Sequence, residues 1–128
     1  MLRTGVDLIE IERVQDVVRR HGERYLEKIY TQAERAQSHG NIQYLAGRFA
    51  AKEAVAKTLG TGIGDVGWLE IEILGGEQNA PMLNLSGAAQ QLAERLGLTE
   101  WSVSISHSMS HAVAFVVALD RPQMQRRE

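Results

Sequence analysis

Leu45-Ala46-Gly47-Arg48-Phe49-Ala50-Ala51-Lys52-Glu53-Ala54-Val55-Ala56-Lys57-Thr58-Leu59-Gly60-Thr61-Gly62 is a run of strong helix formers ended by a glycine-rich stop. Alanine dominates it because alanine loses no side-chain entropy in a helix, and Gly60 stands where a left-handed C-terminal cap is expected. At about 100° per residue, Glu53 and Lys57 lie within about 40° of each other, on the side that carries Ala46 and Ala50. A carboxylate and an amine therefore share a face walled by methyl groups. By itself the spacing also fits an ordinary surface ion pair, so its meaning depends on the rest of the chain.

Upstream, Val6-Asp7-Leu8-Ile9-Glu10-Ile11 alternates as a strand, with Asp7 on the face of Ile9 and Ile11. A carboxylate among isoleucines needs a cation, a metal or several donors, or a place at the strand mouth where backbone N–H groups reach it. Glu12 to Arg20 reads as a helix with Val14, Val17 and Val18 as its stripe and a break near Gly22. Arg13, Arg19, Arg20 and Arg24 surround that stripe, which suits either a solvated face or a dock for an acidic helix. Thr31 and Glu34 have capping-box spacing, and His39-Gly40-Asn41 forms the turn before the alanine-rich helix.

Downstream, Trp68 to Leu74 alternates apolar and acidic residues and reads as a half-exposed strand. A turn over 75–80 leads to a short strand at Met82–Leu85, then a helix capped by Ser86 and ended by Gly97. Two strands follow in hairpin order. Trp101 to His107 alternates strictly, while Ala112 to Leu119 is apolar on both faces, as in a strand covered on one side by a helix and on the other by another subunit. His107 and His111 are four apart across a strand and turn, so the helical zinc-pair geometry does not apply. His107 and the hydroxyls of Ser104, Ser106 and Ser108 gather at a strand end, as structural groups or as a hold for phosphate.

The chain has 128 residues, 44% hydrophobic and 23% charged, which suits one domain over 1–120 with a polar tail at 121–128. It has no cysteine, which excludes a disulfide framework, a zinc-thiolate site and a thiol nucleophile. A net charge of -2 argues against broad nucleic-acid binding. A polar start and the lack of a long apolar run point to neither a secretory signal nor a membrane span. A cytoplasmic protein is expected.

Gly5-Val6-Asp7-Leu8 through Arg13, the Leu45 to Ala54 run through Lys57, Gly60-Thr61-Gly62, and Ser104-Ile105-Ser106-His107 together resemble the bacterial holo-acyl-carrier-protein synthase family. The order and spacing match along nearly the whole chain. The resemblance implies an α+β 4'-phosphopantetheinyl transferase fold with an antiparallel sheet packed on a long central helix. It also implies a homotrimer with sites between subunits. The implied activity is transfer of phosphopantetheine from coenzyme A to a serine of apo acyl carrier protein, releasing adenosine 3',5'-bisphosphate. A coenzyme A or nucleotide-binding oligomeric module without catalysis is the competing reading.

Residue by residue, the resemblance makes Asp7 and Glu53 ligands of Mg²⁺, with Mn²⁺ as an alternative ion, and makes Glu53 and Lys57 catalytic. Displacement at the β-phosphorus needs neutralised phosphoryl charge, which a dication held by few carboxylates supplies. The serine's base is open between Glu53 and a water on the metal. Arg48, Lys57, Gly60, Ser106, His107 and Ser108 match positions for coenzyme A, and Arg13 and Arg24 match the carrier-protein surface. Where relatives often carry a basic residue before the LAGRFA run, this chain has Asn41-Ile42-Gln43-Tyr44.

Overall fold

The computed structural model describes residues 1–75 and 80–120; the interior of the expected 75–80 turn and the 121–128 tail lie outside the described residues. Strand β1 spans Leu2–Glu10 and is followed by helices α1 (Ile11–His21), α2 (Glu23–Ile29), α3 (Gln32–Ser38) and α4 (Ile42–Thr58). After a loop come β2 (Ile71–Leu74), β3 (Met82–Leu85), helix α5 (Gly87–Leu96), β4 (Glu100–His107) and β5 (His111–Leu119). The fold is α+β with antiparallel sheets: β1, β5 and β4 in that order form one, β2 and β3 the other.

The 17-residue α4 lies across the inner face of the larger sheet. Ala46, Ala50, Ala51 and Ala54 are fully buried there against Ala112, Ala114, Val116 and Ala118 of β5. Small residues on both sides let helix and sheet approach closely. Gly5 shows how closely: a Cβ at that position would lie 2.2 Å from the carbonyl oxygen of Ala54. The glycine of the Gly5-Val6-Asp7 motif thus sets the strand against the helix. Ala50 is therefore core, and the methyl wall seen in the sequence accommodates the strands.

The opposite face of the sheet is open. Val6, Leu8 and Phe115 are 52%, 64% and 45% exposed, and Val6 pairs directly with Phe115.

Helix ends follow their local signals. Thr31 and Glu34 form the capping box, Asn41 caps α4, and Gly60 takes φ +80 just past its end. Other expectations fail for identifiable reasons. Trp68–Glu70 is a 3₁₀ turn, so the strand expected from Trp68 begins only at Ile71. Glu70 folds back to accept the Gly67 N–H at 2.8 Å and those of Ala88 and Ala89 at 3.1 and 3.3 Å. It thereby supplies the α5 cap expected from Ser86, whose side chain makes no capping bond. Beyond Gly22 the chain forms α2, a helix unmarked in the sequence, with Ile29 and Tyr30 in the core.

Candidate active site

Asp7 lies on the inner face of β1, at the edge of the sheet, beside the last turns of α4. Lys57 spans the gap, donating to the Asp7 carboxylate at 3.1 Å and to the Val6 carbonyl at 3.0 Å. Glu53 stands one turn before Lys57 on the same side of the helix. Its carboxyl is raised above the usual range by partial burial first and by the nearby negative charge of Asp7 second, while Lys57 lowers it. The structure thus brings the three sequence-predicted residues together. The Asp7 and Lys57 side chains are 18% and 56% exposed, so the cluster is open on its outer side.

Two mutually repelling carboxylates offer hard oxygen donors, which fits a Mg²⁺-type ion. Among the described residues no three His, Cys, Asp or Glu side chains converge as a metal cage. Such an ion would therefore need further oxygens from ligand and solvent, as Mg²⁺ commonly does. The donor set is compatible with that arrangement.

Arg48 is nine residues from Lys57, so it points to the opposite side of α4. It is buried, donating Nε–H to the Ile73 carbonyl and Nη2–H to the Gly75 carbonyl, each at 3.2 Å. Burial lowers its pKa, and Tyr44 and Glu34 offset that effect. It lines a cavity of about 990 Å³ with Tyr44, Gly47, Gly75, Pro81 and His107, among others. Gly47 is a forced choice here, since a Cβ would sit 2.8 Å from Ile105 Cγ2.

His107 is exposed at the end of β4 and shares this cavity with Arg48. Ser106 faces the other side of the sheet. Ser106, His107 and Ser108 border a smaller cleft with Leu8, His111 and Val113. The Ser108 hydroxyl accepts the N–H groups of Ser110 and His111 at 3.2 and 3.1 Å, which shapes the β4–β5 turn. Gly60 lies past the end of α4 beneath the guanidinium of Arg3. Within the chain, then, the Asp7 cluster and the Arg48–His107 cavity occupy opposite flanks of α4.

Arg13 and Arg24 are exposed on α1 and α2. The valines between them are not an open docking stripe: Val14 is buried and Val18 packs on the core.

One buried ionic group is hardly marked in the sequence. Lys52 and Glu34 are fully buried and paired at 2.8 Å, and Lys52 also donates to the Trp68 carbonyl at 3.0 Å and to that of Ile71. Glu34 accepts the N–H of Thr31 at 2.9 Å and of Ile73 at 2.8 Å. The pair ties α3 and α4 to β2. Its only signal in the sequence was the capping-box spacing of Glu34, which revealed one of its carboxylate's several bonds.

An acidic pair with a lysine thus stands on one flank of α4 and an arginine-lined cavity on the other, on an α+β frame. The chain belongs to the 4'-phosphopantetheinyl transferase superfamily, whose family model matches residues 3–116. Its relatives include the holo-[acyl-carrier-protein] synthase of Herpetosiphon aurantiacus, 48% identical over 126 residues, covering 93% of this chain and 99% of that protein. Among solved structures, the Helicobacter pylori holo-[acyl-carrier-protein] synthase in complex with coenzyme A superposes with a TM-score of 0.82 at 32% identity, covering 91% of this chain and 99% of that one. The Neisseria meningitidis holo-[acyl-carrier-protein] synthase gives 0.83 at 33% identity, covering 91% and 97%. No helix among the described residues is long and apolar enough to cross a membrane.

Proposed function

We infer that the chain is a holo-[acyl-carrier-protein] synthase, which moves 4'-phosphopantetheine from coenzyme A to a serine of apo acyl carrier protein. The observation that carries the reading to specific residues is the convergence of Asp7, Glu53 and Lys57 at an open edge of the sheet. The serine oxygen attacks the β-phosphorus of coenzyme A, and the bond from that phosphorus to the adenosine-side phosphate oxygen breaks. Adenosine 3',5'-bisphosphate leaves. Lys57 is the cation that offsets charge growing on the leaving oxygen. Glu53, the second carboxylate of the cluster, is the protein group assigned to accept the serine proton. Asp7 and Glu53 would hold Mg²⁺ or Mn²⁺, and such an ion supplies charge neutralisation at the pyrophosphate.

Arg48 and His107 take the nucleotide end of coenzyme A in this reading, with Ser106, Ser108 and Gly60 bordering its path. Because the two half-sites lie on opposite flanks of α4, one complete site needs the Asp7 edge of one copy and the Arg48 cavity of another. The exposed Val6, Leu8 and Phe115 face supports such an assembly, since copies of the chain can cover an apolar patch of this kind. The homotrimer is the assembly we propose, with residues 1–120 acting as one domain. Arg13 and Arg24, exposed beside each other's helices, are assigned to the acidic surface of the carrier protein.

Incubation with apo carrier protein, coenzyme A and Mg²⁺, with a chelator control, tests the reading when the carrier is weighed by mass spectrometry. A phosphopantetheine mass gain that disappears with chelator is expected. Absence of any gain would remove the transferase assignment, and a gain indifferent to chelator would remove the metal.

A further inference from the structure

The wall of the large cavity next to Arg48 is made by residues that take no part in the Asp7 cluster. Tyr44 presents its ring to the guanidinium, with Arg48 Cζ 3.9 Å from the ring centroid. The Tyr44 hydroxyl donates to Gln37 Oε1 at 3.0 Å, and the same oxygen accepts the Gly75 N–H at 3.1 Å. Arg48 closes the circuit by donating to the Gly75 carbonyl at 3.2 Å. Arg48, Tyr44, Gln37 and Gly75 therefore form one ring of contacts joining α3, α4 and the end of β2. Two of the five guanidinium N–H groups are used on the Ile73 and Gly75 carbonyls, which fixes its plane.

Gln37 and Tyr44 both line the cavity, so the ring is part of its wall. Coenzyme A carries, besides its pyrophosphate, one further phosphate on the ribose. A cation turned away from the Asp7, Glu53 and Lys57 cluster is matched to that second anionic group. An aromatic face behind a guanidinium holds it without competing for its outward N–H groups.

We propose that Tyr44 and Gln37 are positioning residues that hold Arg48 at the cavity wall and so set the preference for coenzyme A over its 3'-dephospho form. The inference rests on the assignment of Arg48 to the nucleotide end of coenzyme A.

The test compares kcat/KM for coenzyme A and 3'-dephospho-coenzyme A, with apo carrier protein as acceptor, in the wild type and in Arg48→Met, Tyr44→Leu, Tyr44→Phe and Gln37→Ala. Arg48→Met is expected to abolish the preference. Tyr44→Leu lowers it about tenfold by removing the ring, and Tyr44→Phe and Gln37→Ala lower it about threefold by removing one link. The losses fall on KM for coenzyme A, with kcat within about twofold of wild type. Tyr44→Phe keeps the ring and Gln37 is exposed, so these two variants decide the matter if Tyr44→Leu does not fold. An unchanged preference in Tyr44→Phe and Gln37→Ala, with Arg48→Met defective, overturns the positioning role and leaves the Arg48 assignment standing. An unchanged preference in Arg48→Met overturns both.

Discussion

Lys52 and Lys57 stand five residues apart on α4, about 140° apart around its axis, and each meets a carboxylate from a distant part of the chain. The Lys52–Glu34 pair is fully buried and surrounded by backbone partners, and no buried side-chain nitrogen or oxygen among the described residues lacks a hydrogen bond. The Lys57–Asp7 pair is partly open and has a second carboxylate, Glu53, beside it. One pair is saturated by its own chain. The other has more negative charge than its lysine balances and faces outward, which suits the proposed uptake of a cation and a polyanion. The same ion-pair chemistry thus serves architecture on one side of the helix and, in the proposed reading, reaction on another.

The contrast can be broken most severely on the buried side. Lys52→Met leaves the Glu34 charge without its partner and is expected to cost about 3–5 kcal/mol in chemical denaturation. Combining it with Glu34→Gln should recover much of that loss, because the uncompensated charge is gone. An exposed-pair variant should behave in the reverse manner. Lys57→Ala is expected to lower kcat about 100-fold, the scale for removing one group that stabilises transition-state charge, while the denaturation midpoint changes little.

The smallest effect is the most specific. Glu53 has a folded-state pKa above its ordinary value, so the native state binds more protons than the unfolded state across that window. Its contribution to stability therefore falls as pH rises through the window. Without metal, Glu53→Gln should raise Tm by about 1–2 °C near pH 7. The gain should fade as pH falls below the ordinary carboxylate range, where the folded and unfolded states both bind the proton. Thermal melts across that range check the sign.

These same residues show how much was legible beforehand. Alternation placed Asp7 on the inner face of β1, helical spacing joined Glu53 to Lys57, and the capping box and Gly60 marked helix ends, because each depends on neighbours within a few residues. The Lys52–Glu34 pair was not legible, since its partners are 18 residues apart and a lysine in a helix reads as surface. Trp68 to Glu70 alternated like a strand but is a turn, because Glu70 is recruited by the backbone of α5. Arg48 was visible as a phosphate-binding candidate, yet its ties to β2 and its stacking on Tyr44 depend on tertiary approach. The opposite placement of Arg48 and Lys57 is legible in their nine-residue helical spacing, whereas the approach of Asp7 to Lys57 depends on the tertiary fold.

Loading of apo carrier protein by Asp7→Asn and Glu53→Gln, followed by mass spectrometry with saturating Mg²⁺ and coenzyme A, tests most directly the role proposed for Asp7 and Glu53. Both variants should retain the wild-type fold and transfer phosphopantetheine at least about 100-fold more slowly. Loading at the wild-type rate by either folded variant would contradict the assignment of the open pair as the transfer centre.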